Sequence, residues 1–408
     1  MGRPLLLSIL VWLTSALSLW GQMGAVQVRL EGESMVDHPR FPLLTLGGKE
    51  QLNISFDLLG DGGDLLSYRL KSYNADWTPS PLLPVEYMQG FDASLPFAPE
   101  PSRSTLVPYA HYSLTFPSEG ERIKRSGNYK LEFYSEHDPS RTLLEIPFAV
   151  VEPLLELHTE LTDAAYEDYR GRHQQVNLRV TAPSFSPPND DGLRIIVLQN
   201  ARWDNAVTLT TPYLRLGQEL HFEQSQGARF PAGNNYYRLE HLSDRAIGLG
   251  IERVTLEEGR YTVYLHPIRN ESEQAYRHEE NHQGLQIIRT AGSDTPGTEA
   301  DYHKVQFRFL SPRLEGGDVL LEGEAFRYLP LSERILRYNQ EEGMYEGSVL
   351  LKMGYQEYQI LFQPRGSQAL LAQPTLGDHY QTKNRYTVLV YYRSRLDKTE
   401  RLLATQEL

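Results

Sequence analysis

The sequence contains no cysteine. That excludes disulfide cross-links, thiolate-ligated zinc, thiol nucleophiles and thioether-anchored lipid. Stability must come from packing alone, and a chain of 408 residues can bury enough surface for it. Positive charge is also short. Forty Lys and Arg face 53 Asp and Glu, for a formal net charge of −13. No basic surplus exists to displace counterions from phosphates, so nucleic acid is not an expected partner. Helical periodicity is scarce: only LTDAAYEDY (161–169) and LSERILRY (331–338) read as helix candidates, and both are short. No nucleophile elbow, phosphate loop or dinucleotide fingerprint occurs. Beyond the first 20 residues no long apolar run is found, so no further membrane-inserted segment is expected.

The N-terminus, MGRPLLLSILVWLTSALSLWGQ, has a positive residue at Arg3, an apolar stretch from Leu5 to Trp20, and small residues at Ala16, Ser18 and Gly21. That is the order of a secretory signal peptide, assigned to 1–22, with cleavage after Gly21 or Ser18. The run is short for a spanning helix, which takes about 20 apolar residues. The expectation is an exported protein without membrane insertion.

Period-2 alternation dominates the remainder. VQVRL (26–30), LNISFDL (52–58), YSLTF (112–116), VNLRV (176–180), VQFRF (305–309) and YTVLVYY (386–392) each place apolar side chains on one face. Half-buried antiparallel strands read this way. Gly, Pro, Asn and Asp clusters separate them, as in GDGGD (60–64), SPPNDDG (186–192) and SDTPG (293–297). Such spacing indicates β-sandwiches rather than βαβ units. The expected fold is all-β: three tandem immunoglobulin-like or early-set sandwiches over 23–153, 154–291 and 292–408. Glu152-Pro153 marks the first boundary and the small, polar stretch RTAGSDTPGTEADY (289–302) the second, as a linker. SGNYKLEFY and EGRYTVYLH both open a strand with Gly-x-Tyr, so Tyr129 and Tyr261 are candidate tyrosine corners. The turn KMGYQ (352–356) suggests a hairpin.

Chemistry-bearing patterns are few. HEENH (278–282) has the zincin spacing of His278, Glu279 and His282. Its flanks carry no apolar helix face, and the segment reads as a polar hairpin tip rather than a zinc peptidase site. GDGGD and NDDG do not continue into a calcium-ligand spacing. Trp203, just after LRIIVL, could offer a sugar platform or pack over a sandwich edge. No catalytic residue, metal site or cofactor is expected.

SYRLKSYNADWTPSPLLPVEYMQGFD (67–92) is denser in aromatics than an irregular connection requires. Together with STLVPYAHYSLTFP and SGNYKLEFY it resembles the first domain of the plug protein family of the Bacteroidota type IX secretion system. Asn74-Ala75-Asp76-Trp77, Tyr87, Gly90-Phe91, Leu106-Val107-Pro108-Tyr109 and His111-Tyr112 carry that resemblance. VLQNARWDNA, FPAGNNYYRLEH, EADYHKVQFRF and GDHYQTKNRYTVLVYYR extend it through the rest of the chain. Departures occur before Asn74, where the family has His-Cys, and at Arg401-Leu402-Leu403-Ala404. The resemblance implies a non-catalytic periplasmic monomer. It would bind the periplasmic mouth of the outer-membrane translocon barrel, SprA/Sov, and seal the idle pore. It implies no cofactor. Tyr73, Asn74, Asp76, Trp77, Tyr87, Phe91, Tyr109 and Tyr112 are then candidate partner-contact residues, because aromatic side chains give large contact area at low entropy cost. The same residues could instead cover the end of the first sandwich. A periplasmic or surface carbohydrate-binding protein is the alternative function, suggested by early-set-like strands in the third unit.

Overall fold

The computed structural model describes residues 22–408 other than 35, 91–95, 164–170, 183–191 and 258. The signal-peptide segment, Phe91 and most of the 161–169 helix candidate lie outside the described residues. Almost all regular structure is strand. Among the described residues no helix is long and apolar enough to cross a membrane.

The first core is a sandwich. One sheet orders Met23–Leu30, Leu52–Leu59, Tyr109–Phe116 and Glu100–Pro101; the other orders Leu43–Thr45, Asp138–Val151, Gly127–Ser135 and Leu66–Tyr73. Alternation decides which side chains turn inward. Leu52, Ile54, Phe56, Tyr112 and Phe116 meet Leu66, Tyr68, Leu70, Tyr129, Leu131, Phe133, Ile146 and Phe148. Phe56 faces Phe133 edge-on at 5.0 Å between centroids. Each such side chain contributes about 1.5–3 kcal/mol on burial.

The second core shows why a local boundary failed. One of its sheets orders Glu156–Thr162, His173–Thr181, Glu219–Phe222 and Leu214–Leu216. The other orders Arg202–Leu209, Leu193–Gln199, Tyr386–Tyr392 and Arg401–Glu407. Ile195 pairs with Val390 and Val197 with Val388. The last two strands therefore return from the C-terminal end to complete the second core. Conversely, Tyr237–His241 pairs with Gly354–Pro364, and Arg260–Leu265 runs parallel to Tyr302–Leu310. The expected units 154–291 and 292–408 are thus interleaved across residue 291. Alternation fixes which face of a strand is buried but not which distant strand it joins.

The segment LRIIVLQ (193–199) is apolar without alternation because both its faces are covered. Ile195 and Val197 lie in the second core. Ile196 and Leu198 face a separate cluster shared with Phe41, Ala149 and Val151 of the first unit. Leu389 and Tyr391 do the same on the neighbouring strand.

The third core packs Val263, Leu265, Phe307, Phe309, Leu320, Phe326 and Ile360. The expected hairpin at KMGYQ does not form. Met344–Lys352 pairs with Tyr302–Leu310 and Ile335–Asn339, whereas Gly354–Pro364 pairs with Gly317–Glu322 and Tyr237–His241. The chain crosses between partners at Gly354, whose φ is +153°. A Cβ there would collide with the Ile287 carbonyl oxygen, so glycine is required. LSERILRY begins as a single helical turn, Leu331–Arg334, and continues as the strand Ile335–Asn339.

Candidate functional site

Three of the tyrosines expected to face a partner face inward. Tyr87, Tyr109 and Tyr112 are 3%, 2% and 0% exposed. Their hydroxyls donate within the chain, to the carbonyls of Leu70 (2.8 Å), Ala300 (2.9 Å) and Asp64 (2.9 Å). Burial of ring and hydroxyl together pushes the Tyr112 phenol up to about 12. Tyr73 is half-buried, with the Lys130 ammonium 5.0 Å from its ring centroid. Asn74, Asp76 and Thr78 close a local turn: Asp76 accepts from the Thr78 amide at 3.0 Å, and the Asn74 amide donates to the Thr78 hydroxyl at 3.0 Å.

Trp77 sits in the left-handed region at φ +61° and packs against the body of the protein. It meets Trp203 edge-on at 5.1 Å, and Phe41 packs edge-on against Trp203 at 5.3 Å. The two tryptophans are nearly perpendicular at 81°, whereas a sugar-stacking platform presents its rings in one plane. This aromatic cluster joins the first unit to the second. Polar bonds flank it. The Tyr391 hydroxyl donates to Asn128 Oδ1 at 2.7 Å, and Glu400 accepts from the Ala75 amide at 2.8 Å while pairing with Arg194 at 2.9 Å.

A different junction joins the first unit to the third. Asp57, on Leu52–Leu59, is 1% exposed. Its Oδ1 lies 2.6 Å from His111 Nδ1. Its Oδ2 accepts from Lys352 Nζ and from the Tyr302 hydroxyl, each at 2.5 Å. Lys352 also donates to the Gly297 carbonyl at 2.7 Å and lies 4.1 Å from the Tyr109 ring centroid. The Tyr302 oxygen accepts from the Ala25 amide at 2.7 Å. Burial lowers the Lys352 pKa although Asp57 opposes it, and burial drives the Tyr302 phenol well above its usual value. The expected linker 289–302 belongs to this junction. It forms the turn Pro296–Glu299, and Asp301 then accepts from the amides of Leu106 (2.6 Å) and Val107 (3.0 Å). A second ion pair, Arg29 with Glu324, reinforces the contact, and Glu324 also accepts from the Gln286 amide at 2.8 Å. A carboxylate, an imidazole and an amine can do acid–base chemistry only with a face open to substrate. Here Asp57 is bonded by Lys352, Tyr302 and His111, Lys352 by Asp57 and the Gly297 carbonyl, and both are enclosed.

The two corner candidates differ. The Tyr129 hydroxyl donates to the Arg125 carbonyl at 2.7 Å, four residues upstream in the chain. Tyr261 is half-exposed, meets His303 in a tilted contact at 5.0 Å, and has Asp244 beside its hydroxyl. Among the described residues its hydroxyl caps no upstream backbone, unlike that of Tyr129. HEENH is extended and irregular, between Ile268–Arg269 and Gln286–Ile288, rather than helical. His282 bonds Glu357 at 3.2 Å and lies against the His38 ring in a tilted contact. Among the described residues no group of three or more His, Asp and Glu could hold a metal ion.

What the sequence reading missed is an exposed apolar patch. Leu83 precedes the turn Pro84–Tyr87 and Val85 lies within it, 63% and 69% exposed, and Leu396 is 97% exposed. Lys398 reaches Glu86 at 2.8 Å and Arg125 reaches Asp397 at 2.7 Å, which brings the two loops together. A signal did exist: Leu396 is an apolar residue inside the polar turn RSRLDK, where nothing local can bury it.

Comparison with known proteins follows from this architecture. Residues 24–152 match the family model of the type 9 secretion system plug protein 1st domain. A solved structure of a hypothetical protein from Parabacteroides merdae ATCC 43184 is 34% identical, with a TM-score of 0.89 over 95% of this chain and 97% of that one. No curated protein matches the chain.

Proposed function

Because the chain belongs to the plug protein family of the type IX secretion system, we propose that it binds the periplasmic mouth of the outer-membrane translocon barrel, SprA/Sov, and seals the pore while no cargo passes. The action is occlusion rather than catalysis, and no cofactor takes part. The observation that carries this reading is the pair of junctions. Buried ionic and aromatic contacts tie the first core to both others. A body that blocks an aqueous hole must not bend when cargo or solvent presses on it, and a rigid body gives up little conformational entropy on docking. The contact surface in this proposal is the patch of Leu83, Val85 and Leu396 with its charged rim of Glu86 and Lys398. Exposed apolar patches with polar rims mark interaction sites.

Affinity purification of the tagged barrel tests the proposal, together with dye permeability of a strain lacking this protein. Co-purification and a leaky deletion strain are expected, and Leu396→Asp with Val85→Asp should abolish both retention and sealing. A tight deletion strain in which the protein never accompanies the barrel would overturn the reading.

A further inference from the structure

All three cores line one cleft of about 530 Å³. Lys130, Glu145 and Pro147 come from the first unit; Arg202, Trp203 and Asp204 from the second; Glu322, Arg327, Leu331, Arg334 and Leu370 from the third. Its charges do not balance. Lys130 pairs with Glu145 at 2.6 Å and Arg202 with Asp204 at 2.6 Å. Both partners of the second pair are fixed to one backbone segment. Arg202 donates to the Leu370 carbonyl at 2.7 Å, and Asp204 accepts from the Leu370 amide at 2.9 Å. Glu322 is 6% exposed and accepts from Tyr236 at 3.2 Å. Arg327 and Arg334 remain, and neither forms an ion pair among the described residues. Arg334 is half-buried and its Nε has no acceptor. Burial lowers its pKa, the nearby Glu322 and Asp204 carboxylates oppose that shift without bonding it, and Arg202 adds to it. The lining thus carries four cationic side chains against three carboxylates, on a chain whose net charge is −13.

A guanidinium withdrawn from water without a carboxylate in hydrogen-bond contact is costly, and a bound carboxylate relieves that cost with two parallel hydrogen bonds. Trp203, Pro147 and Leu331 give the cleft apolar walls, Leu331 being 44% exposed. A cleft of this size with apolar walls and a few convergent charges is the usual form of a ligand site. We propose that this cleft binds the carboxylate of a short apolar peptide segment, with Arg334 and Arg327 holding the carboxylate oxygens and the apolar walls taking the flanking side chains. The site does not depend on the plug reading.

Trp203 lines the cleft and touches Trp77, and these are the two tryptophans outside the N-terminal apolar segment. Intrinsic fluorescence therefore reports occupancy. The purified protein is titrated with three blocked tripeptides: acetyl-leucyl-aspartyl-leucinamide, its asparagine counterpart, and acetyl-trileucine with a free C-terminus. Saturable quenching by the aspartate or the free-acid peptide is expected, at least tenfold tighter than by the asparagine peptide and weakened by added salt. Whichever carboxylate peptide binds identifies the source as a side chain or a chain end. Arg334→Gln and Arg327→Gln should each weaken binding about tenfold or more, with the unfolding midpoint of Arg334→Gln unchanged or raised. Arg313→Gln, at an exposed pair elsewhere, should have no effect. If Arg334→Gln does not fold, Arg327→Gln carries the test alone. Binding of the asparagine peptide as tight as that of both carboxylate peptides, no binding of either carboxylate at millimolar concentration, or unchanged affinity in the arginine variants would overturn the proposal.

Discussion

Asp57 and Trp77 belong to the same sandwich yet attach it to the others by opposite means. Around Asp57 the contact is ionic and its hydrogen bonds are filled by His111, Lys352 and Tyr302. Around Trp77 it is ring against ring, with Phe41 only 3% exposed and the indoles perpendicular. Desolvating two charges takes back most of what their attraction supplies, whereas aromatic burial stabilises outright. The ionic junction sets where the third core must sit, since only one arrangement satisfies every donor. The aromatic junction supplies most of the adhesion. Using both, the molecule gains orientation from one contact and strength from the other.

The sharpest way to break that contrast is to orphan a charge. Lys352→Ala should cost about 3–5 kcal/mol by denaturant unfolding, because Asp57 is left buried without its cation. Asp57→Leu combined with Lys352→Met should recover most of that loss, and a double variant as unstable as the single one would refute the assignment of strength to the aromatic side. Phe41→Ala should cost about 3–4 kcal/mol, through lost burial and the cavity it leaves, with no double variant able to restore it except by refilling the volume.

Acid provides a third probe. His303 follows Tyr302 on the same strand and turns to the other face, where it meets His241 at 2.5 Å. Burial and then His303 hold His241 down to about 4, and burial also lowers His303. Tyr261, Asp244 and Asp301 are the other titratable groups around the pair. An unfolded imidazole titrates near 6.5, so between that pH and about 4 the unfolded chain binds a proton that the folded one refuses. Stability is therefore full above pH 6.5 and falls as pH drops towards 4, by about 3 kcal/mol at most for His241. Unfolding at pH 7 and pH 4.5 should show this loss, and His241→Phe should flatten it. An acid limb unchanged by the substitution would assign it to the carboxylates instead. Smaller still, Tyr391→Phe should cost about 1–2 kcal/mol by leaving Asn128 Oδ1 without its donor. Lys398→Ala, at an exposed pair, should leave the unfolding midpoint unchanged.

The sequence displayed the strands of the first core plainly, since LNISFDL and YSLTF alternate over a single buried face. It concealed the return of Tyr386–Tyr392 to the second core: read as a strand with one apolar face, that segment is buried on both and carries no mark of its partner. Much of the expected aromatic contact surface proved to be packing for a related reason. Tyrosine has an apolar ring and a polar tip, so its presence fits an interface and a filled interior equally well. The Tyr87, Tyr109 and Tyr112 hydroxyls find backbone carbonyls, and no local pattern foretells that. Leu83, Val85 and Leu396 were legible only as residues out of place. The unmatched arginines of the cleft could not be read at all, since an ion pair is recognised as missing only once the neighbours are in position.

The order in which the chain closes carries a consequence for its biogenesis. Arg401–Glu407 is the outermost strand of a sheet whose first members in the chain are Leu193–Gln199 and Arg202–Leu209. A nascent polypeptide emerging from a ribosome or a translocase cannot finish its second core until residues 386–407 are free. Loss of Arg401–Glu407 would therefore expose the interior laid down with Leu193–Gln199, and quality-control proteases would meet an open hydrophobic seam.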